Sequence, residues 1–358
     1  MPGAGAKAPK SGPDYARKSE LLSPDAHDDN FRHGHDVRRI GLGIEKGGLP
    51  SFLPHAGPAR SGLNRTHLSQ KRDDLATVQF LQISDLHLGA RFGWLPRDRA
   101  ELRRREQIAV LRKAIEHAIA RGVHAILIPG DLFDRAEPDP ATLTSVLDAF
   151  RIAGCPPVFI SPGNHDPWSE TSPAWSARML ESRGWSWPEH VHIFSEPRWS
   201  ARQVPGMPVR VWGPCFTPGM ASTTRPLDGE ARCSVGVLAP TELHVGLFHG
   251  SLETRCPPGQ KVIGPFSEEE VRIAPFAYLA IGHYHRAHTH EHFAYAGSAV
   301  GLDIGEVGAH GALEVSIEFG AGPARANFTP VVLDPRRTHH VEVDVARAAS
   351  AEEVESRI

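Results

Sequence analysis

The chain has 358 residues, 40% of them hydrophobic and 23% charged, which is typical of a soluble globular protein with one large or two modest domains. Its net charge of -3 offers no overall attraction to nucleic acid, so any such binding must use a local patch. The sequence has no apolar run that could span a membrane, no apolar leader and no Cys-x-x-Cys pair among its four cysteines, which predicts a cytoplasmic protein without membrane contact or a disulfide framework.

The first 75 residues differ in composition from the rest of the chain. They are rich in Gly, Pro, Ser, Arg and Asp and show no sustained apolar period, so we expect residues 1–75 to be mostly disordered. A tail that binds nucleic acid or a protein partner is the alternative. Ordered structure is predicted to begin near Thr77, with a strand that ends in Ser84-Asp85-Leu-His87.

A helix is predicted over residues 98–121, with Gly122 as its stop and with the apolar face Leu102, Ile108, Leu111, Ile115 and Ile119. Residues 97–113, here called the basic segment, carry three acidic side chains and seven basic ones: Arg97, Arg99, Arg103, Arg104, Arg105, Arg112 and Lys113. With Phe92 and Trp94 just before it, this segment could bind the phosphates of DNA. The alternative, a solvated helix face, is slightly favoured.

The next strand is the apolar run Ala125-Ile-Leu-Ile, which leads into Pro-Gly130-Asp131-Leu-Phe-Asp134. A short, continuously apolar strand after a helix is the pattern of a parallel strand buried on both faces. Gly130 allows a sharp turn, and Asp131 is then the first polar side chain beyond the sheet. Active sites of open α/β sheets lie at this position.

Three further predicted strands also end in polar side chains. A helix beginning at Pro140 and capped by Asp139 precedes the first of them. The three strands run into Asn164-His165, into His249, and into His283-Tyr-His285. Five strand ends that carry ligand-type residues predict one site at a common rim.

The second half of the chain predicts mainly strands, separated by Pro and Gly. Residues 293–295, 312–317 and 328–333 are assigned to a second sheet, and residues 340–345 to a further strand. Ser350-Ala-Glu-Glu353 is a helix capping box. Four tryptophans between residues 168 and 187 are expected to pack rather than to stack on bases. The whole predicts two facing sheets with helices outside.

Seven side chains at these strand ends form a candidate set of metal ligands, and together they are enough for two divalent ions if Asp131 bridges them: Asp85, His87, Asp131, Asn164, His249, His283 and His285. Mixed carboxylate, amide and imidazole donors favour Mn, with Fe or Zn as alternatives, over Ca or Mg. His165 is left over and is the candidate acid for the leaving oxygen, with Asp134 to orient it. His288, His290 and His292 are expected on a solvated strand rather than at a third metal.

The order Asp-x-His, Gly-Asp-x-x-Asp, Gly-Asn-His-Asp, His-Gly and Gly-His-x-His resembles the calcineurin-like metallophosphoesterase superfamily over about residues 77–333. The resemblance implies an α/β (α+β) fold, a four-layer αββα sandwich, and His165 as the catalytic histidine supported by Asp134. It also implies that Asp85, His87 and His285 hold one metal, that Asn164, His249 and His283 hold the other, and that Asp131 is shared. We expect a metallophosphoesterase domain over residues 76–335 and the start of an incomplete C-terminal capping domain over residues 336–358.

Three local sequences resemble the SbcD-type DNA repair exonucleases: Ser84-Asp-Leu-His-Leu-Gly89, Gly130-Asp-Leu-Phe, and Tyr295-Ala-Gly-Ser298 followed by residues 305–311. This resemblance implies an exonuclease with DNA as substrate and an SMC-like ABC ATPase of the SbcC type as partner. Asp134 is a departure, because that subfamily often has His there. Two alternatives are a hydrolase of a small phosphodiester or pyrophosphate, and a non-catalytic scaffold with the same fold.

Overall fold

Two six-stranded sheets organise the part of the chain that the computed structural model describes, which is residues 76–233, 235–236, 238–239, 241–256, 261–320, 322–342 and 350–355. The strands are β1 Ala76–Gln82, β2 Ala125–Ile128, β3 Val158–Ile160, β4 Val191–Ile193, β5 Ser200–Gln203, β6 Val209–Gly213, β7 Leu243–His249, β8 Tyr278–Gly282, β9 His288–Thr289, β10 Phe293–Tyr295, β11 Gly311–Gly320 and β12 Gly322–Val332. The helices are α1 Arg97–Arg121, α2 Pro140–Phe150, α3 Ala177–Glu181, α4 Gly229–Cys233, α5 Glu268–Ile273 and α6 Ala351–Glu355.

The first sheet has the order β12-β11-β1-β2-β3-β4. Strands β1 to β4 are parallel, whereas β11 runs antiparallel to β1 and β12 antiparallel to β11. The assignment of residues 312–317 and 328–333 to the second sheet is therefore wrong. An alternating pattern shows that one face of a strand is buried, but it does not tell which sheet the strand joins. Pro330 fits the edge position of β12, since an edge strand tolerates a missing N–H donor.

The second sheet has the order β5-β6-β7-β8-β10-β9, with a parallel centre and antiparallel strands at both edges. Strand β10, predicted for this sheet, is found there. Gln82 at the end of β1 ties the two sheets together, because its side-chain amide donates to the carbonyl oxygens of Ile281 at 3.2 Å and Ala294 at 2.9 Å. The carboxyl ends of β1 and β8 are thereby held at the same rim.

The layers follow from the alternation of side chains along the central strands. In β1, Val78 and Phe80 face a core shared with the second sheet, while Leu81 and the following Ile83 face a core that α1 and α2 cover. A third apolar cluster, which includes Val271 of α5, lies on the outer face of the second sheet. The predicted four-layer αββα arrangement is confirmed.

Helix α1 begins one residue before its predicted start and ends as predicted at Gly122, whose φ of 62° is left-handed. Its apolar face was only partly predicted: Leu111 and Ile115 are buried, but Leu102 is 37% exposed. Arg103 of the basic segment is instead buried and donates to both carboxylate oxygens of Asp334, at 2.7 and 2.5 Å. One guanidinium of the predicted phosphate-binding patch is therefore a structural ion pair.

Three of the remaining expectations can be compared, in whole or in part, with the described residues. Trp175 stacks on Trp187 with ring centroids 5.6 Å apart, which confirms a packing role for these two rings. The strand predicted over residues 340–345 is wrong in its first half, because residues 340–342 form no strand. Residues 343–345 lie outside the described residues. The first half of the C-terminal capping box is present, since the Glu353 N–H donates to Ser350 Oγ at 3.3 Å.

Residues 1–75 also lie outside the described residues, so their predicted disorder stays a prediction, as do the domain boundaries at residues 76 and 335. Among the described residues, no helix combines the length and the apolar character that crossing a membrane requires.

Candidate metal centre

The polar side chains predicted to converge lie at the carboxyl ends of five strands. Asp85 and His87 follow β1, Asp131 and Asp134 follow β2, and Asn164 and His165 follow β3, while His249 ends β7 and His283 and His285 follow β8. Because β1 to β3 and β7 to β8 are parallel within their sheets, these ends open on one rim.

Two glycines allow the strand ends to approach closely. Gly130 has a φ of +97°, and a Cβ atom there would lie 2.3 Å from Nδ1 of His249. A Cβ atom on Gly163 would lie 2.3 Å from Oδ1 of Asp131. Any other residue at either position would push a candidate ligand out of place.

Four of the ligand positions adopt a backbone conformation that is rare for residues other than glycine. The φ angles are 50° at Asp85, 44° at His87, 50° at Asp131 and 107° at His283. Each such conformation costs on the order of 1–3 kcal/mol and persists only where the surroundings enforce it. Here the His87 N–H donates to the Asp131 carbonyl at 3.0 Å, and the His283 N–H donates to the Asp85 carboxylate at 3.0 Å. Strain of this kind at several neighbouring turns is a mark of a functional site.

The Asp131 carboxylate lies between several of the other candidate site residues. Its Oδ1 accepts a hydrogen bond from the His165 N–H at 2.9 Å, and its Oδ2 lies 3.2 Å from His249 Nε2 and 3.7 Å from His87 Nε2. Burial favours the neutral acid, but the charges of His249 and His87 hold the pKa of the Asp131 carboxyl far below its ordinary value. Asp131 is therefore a buried carboxylate facing two imidazoles.

In the part of the chain that the structure describes, the ligand atoms fall into three groups, within each of which they lie no more than 4.8 Å apart. The groups are Asp85 with His87 and His285, His87 with Asp131 and His165, and Asp85 with Asp131 and His249. Six side chains thus connect through Asp85, His87 and Asp131, which is the arrangement that two neighbouring ions require.

His249 is fixed by hydrogen bonds on both ring nitrogens. Nδ1 donates to the Pro129 carbonyl at 3.0 Å, and Nε2 lies 3.0 Å from the Asn164 side-chain oxygen. Burial opposes a charged ring, yet the Asp131 carboxylate raises the pKa of His249 to about 9. Because Nδ1 is held by the carbonyl, Nε2 is the atom that a cation between Asp131 and Asn164 would contact.

His87 carries the observation that tests whether a cation fits. Its Nε2 is buried and has no hydrogen-bond partner, although it faces Asp131, while Nδ1 lies 3.4 Å from Oδ1 of Asp134. A buried imidazole nitrogen without a partner is costly, and a cation between the carboxylates of Asp85 and Asp131 would remove that penalty. The donors present therefore fit a pair of divalent ions.

Two predicted members of the set have different surroundings. His283 Nε2 lies 3.1 Å from the carbonyl oxygen of Lys261, and its ring centroid is 5.2 Å from that of His249. Burial and the neighbouring His249 lower the pKa of His283 to about 3, so its ring is neutral. The structure thus brings His283 beside the three groups of ligand atoms rather than into them, whereas Asn164 lies directly against His249.

His165 is solvent-exposed at the rim, with its ring centroid 4.6 Å from that of His87. Its Nδ1 lies 3.1 Å from the backbone carbonyl of Asp134, whereas the Asp134 carboxylate pairs with His87. Asp134 therefore contacts His165 through the backbone, and the carboxylate–imidazole pairing predicted for this dyad is not formed. The catalytic roles of both residues stay predictions.

Sequence reasoning missed two carboxylates that support the ligands. Glu306 Oε1 lies 2.5 Å from His285 Nδ1, and Glu306 Oε2 accepts from Ser298 Oγ at 3.1 Å and from the Leu302 N–H at 2.8 Å. Burial opposes ionisation, yet contact with His285 keeps the pKa of the Glu306 carboxyl below its ordinary value. The only sequence signal was its place in the Gly305-Glu-Val-Gly block.

The second carboxylate, Asp166, holds two ligand loops together. It is fully buried and accepts from the Phe133 N–H at 3.0 Å and from the Gly163 N–H at 2.8 Å. Burial, and then the charge of Asp131, raise the pKa of Asp166 to about 7. Its position directly after Asn164-His165 could have drawn attention to it.

The three histidines at positions 288, 290 and 292 are half-buried or exposed, and none belongs to the metal-ligand groups found among the described residues. His288 lies on β9 at the edge of the second sheet, and His290 stacks on Phe293 with ring centroids 4.8 Å apart.

Comparison with known proteins covers the part of the chain that carries the candidate ligands. The profile of the calcineurin-like phosphoesterase family matches residues 78–292. The uncharacterized metallophosphoesterase YhaO of Bacillus subtilis (strain 168) is 27% identical over 258 residues, which cover 69% of this chain and 59% of that protein. The aligned region thus spans less than two thirds of this relative's length.

Two solved structures show a more distant likeness. A dimetal phosphatase from Danio rerio is 14% identical with a TM-score of 0.44, covering 70% of this chain and 98% of that chain. Purple acid phosphatase PPD1 from yellow lupin (Lupinus luteus) seeds is 11% identical with a TM-score of 0.41, covering 73% of this chain and 53% of that chain.

Proposed function

The chain belongs to the calcineurin-like phosphoesterase family, and from this premise we propose that it is a two-metal phosphodiesterase that acts on DNA as an exonuclease of the SbcD type. Membership of the family implies metal-dependent hydrolysis of phosphoesters; the diester, the DNA substrate and the exonuclease activity are the proposal. The observation that carries it is the set of three ligand groups linked through Asp85, His87 and Asp131, together with the unpartnered Nε2 of His87.

The metal ligands in this proposal are Asp85, His87, Asp131 and His285 on one side, and Asp131, Asn164, His249 and His283 on the other. Two divalent ions held there supply Lewis acidity to the phosphoryl group and make water a better nucleophile. Mixed oxygen and nitrogen donors suit Mn best, with Fe or Zn as alternatives.

The protein's own contribution is to hold these donors and to move a proton. His165 is the exposed imidazole at the rim, and the Asp134 carbonyl fixes its Nδ1 as a donor. Nε2 is then the atom that exchanges a proton with the leaving oxygen of the substrate. The backbone carbonyl of Asp134 orients the His165 ring, and the carboxylate of Asp134 orients the His87 ring.

The assignment to DNA is supported by the three SbcD-like local sequences and by what remains of the basic segment. Arg103 does not take part, because it is buried against Asp334. Arg97, Arg99 and Arg105 are exposed and Arg104 is half-buried; Arg105 also pairs with Glu101 at 2.5 Å. An SMC-like ABC ATPase of the SbcC type is the partner that this assignment implies.

The test compares a substitution within the basic segment with a matched one elsewhere. Arg104→Glu with Arg105→Glu should weaken duplex DNA binding and reduce the slope of log K against log salt by about 2, because each lost phosphate contact releases about one counterion fewer. The control is Arg178→Glu with Arg325→Glu, two exposed arginines outside the segment. Hydrolysis of bis-p-nitrophenyl phosphate with Mn should be unchanged in both variants.

Other outcomes distinguish the alternatives. If the protein hydrolyses bis-p-nitrophenyl phosphate while neither pair changes duplex binding or its salt slope, the substrate is a small phosphodiester or pyrophosphate. If purified protein loaded with Mn hydrolyses neither duplex DNA nor bis-p-nitrophenyl phosphate, it is a scaffold with the family's fold. The complete set of ligands counts against that last option, because a scaffold has no need to retain them.

A further inference from the structure

A cavity of about 420 Å³ lies directly beside the metal centre, and the residues assigned to the proposed reaction do not account for it. It shares one wall with that centre, since His249 lines it. Its floor is apolar and buried, formed by Trp199, Cys215 and Phe248, while Phe216 and Met220 at the rim are half-buried. Cavities of this size that abut a reactive site usually hold part of the substrate.

Phe216 is tied to the loop that carries two of the site residues. Its N–H donates to the Pro162 carbonyl at 3.1 Å, and its carbonyl accepts from the Trp168 N–H at 2.8 Å. These two bonds span the segment that contains Asn164 and His165. The ring of Phe216 meets His249 edge-on, with centroids 6.1 Å apart. The cavity therefore has a fixed position relative to the place where the phosphate must lie.

The charges around the cavity do not favour a second phosphate as its occupant. Arg225 pairs with Glu253 at 2.8 Å and with Glu270 at 2.6 Å, so its charge is more than balanced. Arg198 pairs with Glu196 at 2.7 Å. Among the described residues that line the cavity, both arginines are paired, so an anion would meet no free guanidinium, whereas an uncharged group needs no such partner.

We propose that this cavity, here called the ring pocket, binds the uncharged planar ring of a phosphodiester substrate, with Phe216 packing against that ring. The inference rests on the proposed function, because it assigns the part of the substrate next to the phosphate that is hydrolysed. Stacking on an aromatic side chain tolerates any flat ring, so a nucleobase and a simple aryl group share this chemistry.

The test uses the full chain loaded with Mn and three diesters with the same p-nitrophenolate leaving group: the thymidine 5′, phenyl and methyl esters. Wild-type protein should favour a ring-bearing ester over the methyl ester in kcat/KM, and Phe216→Ala should remove about 5- to 150-fold of that preference. The loss of kcat/KM on the methyl ester should be smaller than the loss on either ring-bearing ester. Phe216→Leu, which keeps apolar bulk but not the plane, should lie between them.

The matched control is Phe328→Ala, since Phe328 is a half-buried phenylalanine on the edge strand β12. It should leave all three values of kcat/KM unchanged. A preference for the thymidine ester alone identifies a nucleobase as the occupant, and a preference shared by the phenyl ester identifies any flat ring. Equal kcat/KM for ring-bearing and methyl esters in the wild type, or equal losses on all three in Phe216→Ala, overturns the ring pocket.

Binding measurements separate this inference from the proposed function. If the wild type hydrolyses none of the three diesters, the proposed function fails, and the ring pocket is judged by equilibrium binding of phenyl phosphate against methyl phosphate. Tryptophan fluorescence can report this binding because Trp199 lies in the floor. Tighter binding of phenyl phosphate that Phe216→Ala abolishes supports the pocket, and equal dissociation constants refute it.

Discussion

Replacing Glu306 by Gln should weaken metal binding at the site that includes His285 without unfolding the protein. Glu306 accepts three contacts, from His285 Nδ1, Ser298 Oγ and the Leu302 N–H. The introduced amide has only one oxygen. If that oxygen keeps the Ser298 and Leu302 bonds, its NH₂ group faces Nδ1 of His285.

An NH₂ group at that position changes the tautomer of the imidazole. Nδ1 must then accept a hydrogen bond, which moves the ring proton to Nε2, the nitrogen left to face a metal. Groups that orient a metal-binding histidine in this way contribute about 10- to 100-fold to affinity or activity. We therefore expect a loss of about 1.4–2.7 kcal/mol in the binding free energy of one of the two ions.

The assay is calorimetric titration of metal-free protein with Mn, comparing wild type, Glu306→Gln and the matched control Glu318→Gln. Glu318 is an exposed glutamate on β11, so its replacement should leave both dissociation constants unchanged. The metal-free variants should melt within a few degrees of the wild type, because the lost contact is partly exposed. Two unchanged dissociation constants in Glu306→Gln would refute the role assigned to this carboxylate.

Three further changes test other parts of the structure. Asp131→Asn should remove both ions, because it withdraws the shared carboxylate, and elemental analysis that finds two ions per chain would contradict this. His165→Ala should keep both ions but lower turnover about 10²- to 10⁴-fold on esters with poor leaving groups, and less on p-nitrophenyl esters; equal losses would show that His165 only positions the phosphate. Asp334→Asn should lower the free energy of unfolding by about 1.5–3 kcal/mol, since it removes the carboxylate that accepts two charge-assisted hydrogen bonds from the buried Arg103 and leaves Glu106 as the other carboxylate partner of this guanidinium. Burial opposes ionisation of Asp334, but Arg103 holds its pKa below the ordinary value. This contribution to stability should therefore be complete above about pH 4 and be lost as the pH falls further, which urea unfolding of wild type and variant across pH would show.

Local pattern predicted the rim of the site well. The apolar run at residues 125–128 was predicted to be a short strand buried on both faces, and it forms β2. Such a strand ends where polar residues begin, which is why the site was expected directly after it. Gly130 and Asp131 occupy the turn that this interpretation requires. Five such strand ends in one chain left little freedom in where the ligands could meet.

What the sequence could not provide were the pairings that depend on distant parts of the chain. Periodicity predicted an apolar face for α1, yet Leu102 is exposed and Arg103 is buried, because Asp334 reaches α1 from beyond β12. Glu306 supports His285 because the loop before β11 brings its carboxylate against Nδ1 of that imidazole, and no local pattern around Glu306 indicates this contact. The hydrophobic pattern around a side chain does not indicate which distant residue it will contact in the folded protein.

The place of β11 in the first sheet has a consequence for how the domain is made and divided. Strand β1 lies between β2 and β11, with Val78 opposite Ile317. One of the two neighbours of this central strand therefore comes from a segment more than 200 residues later in the chain. During synthesis, one edge of β1 stays open until residues 311–320 emerge, which favours slow folding and exposes a strand to intermolecular pairing. A fragment cut at residue 292, where the family match ends, would keep every candidate metal ligand yet leave that edge bare. Such a fragment should aggregate, and the useful boundary for expression lies beyond β12.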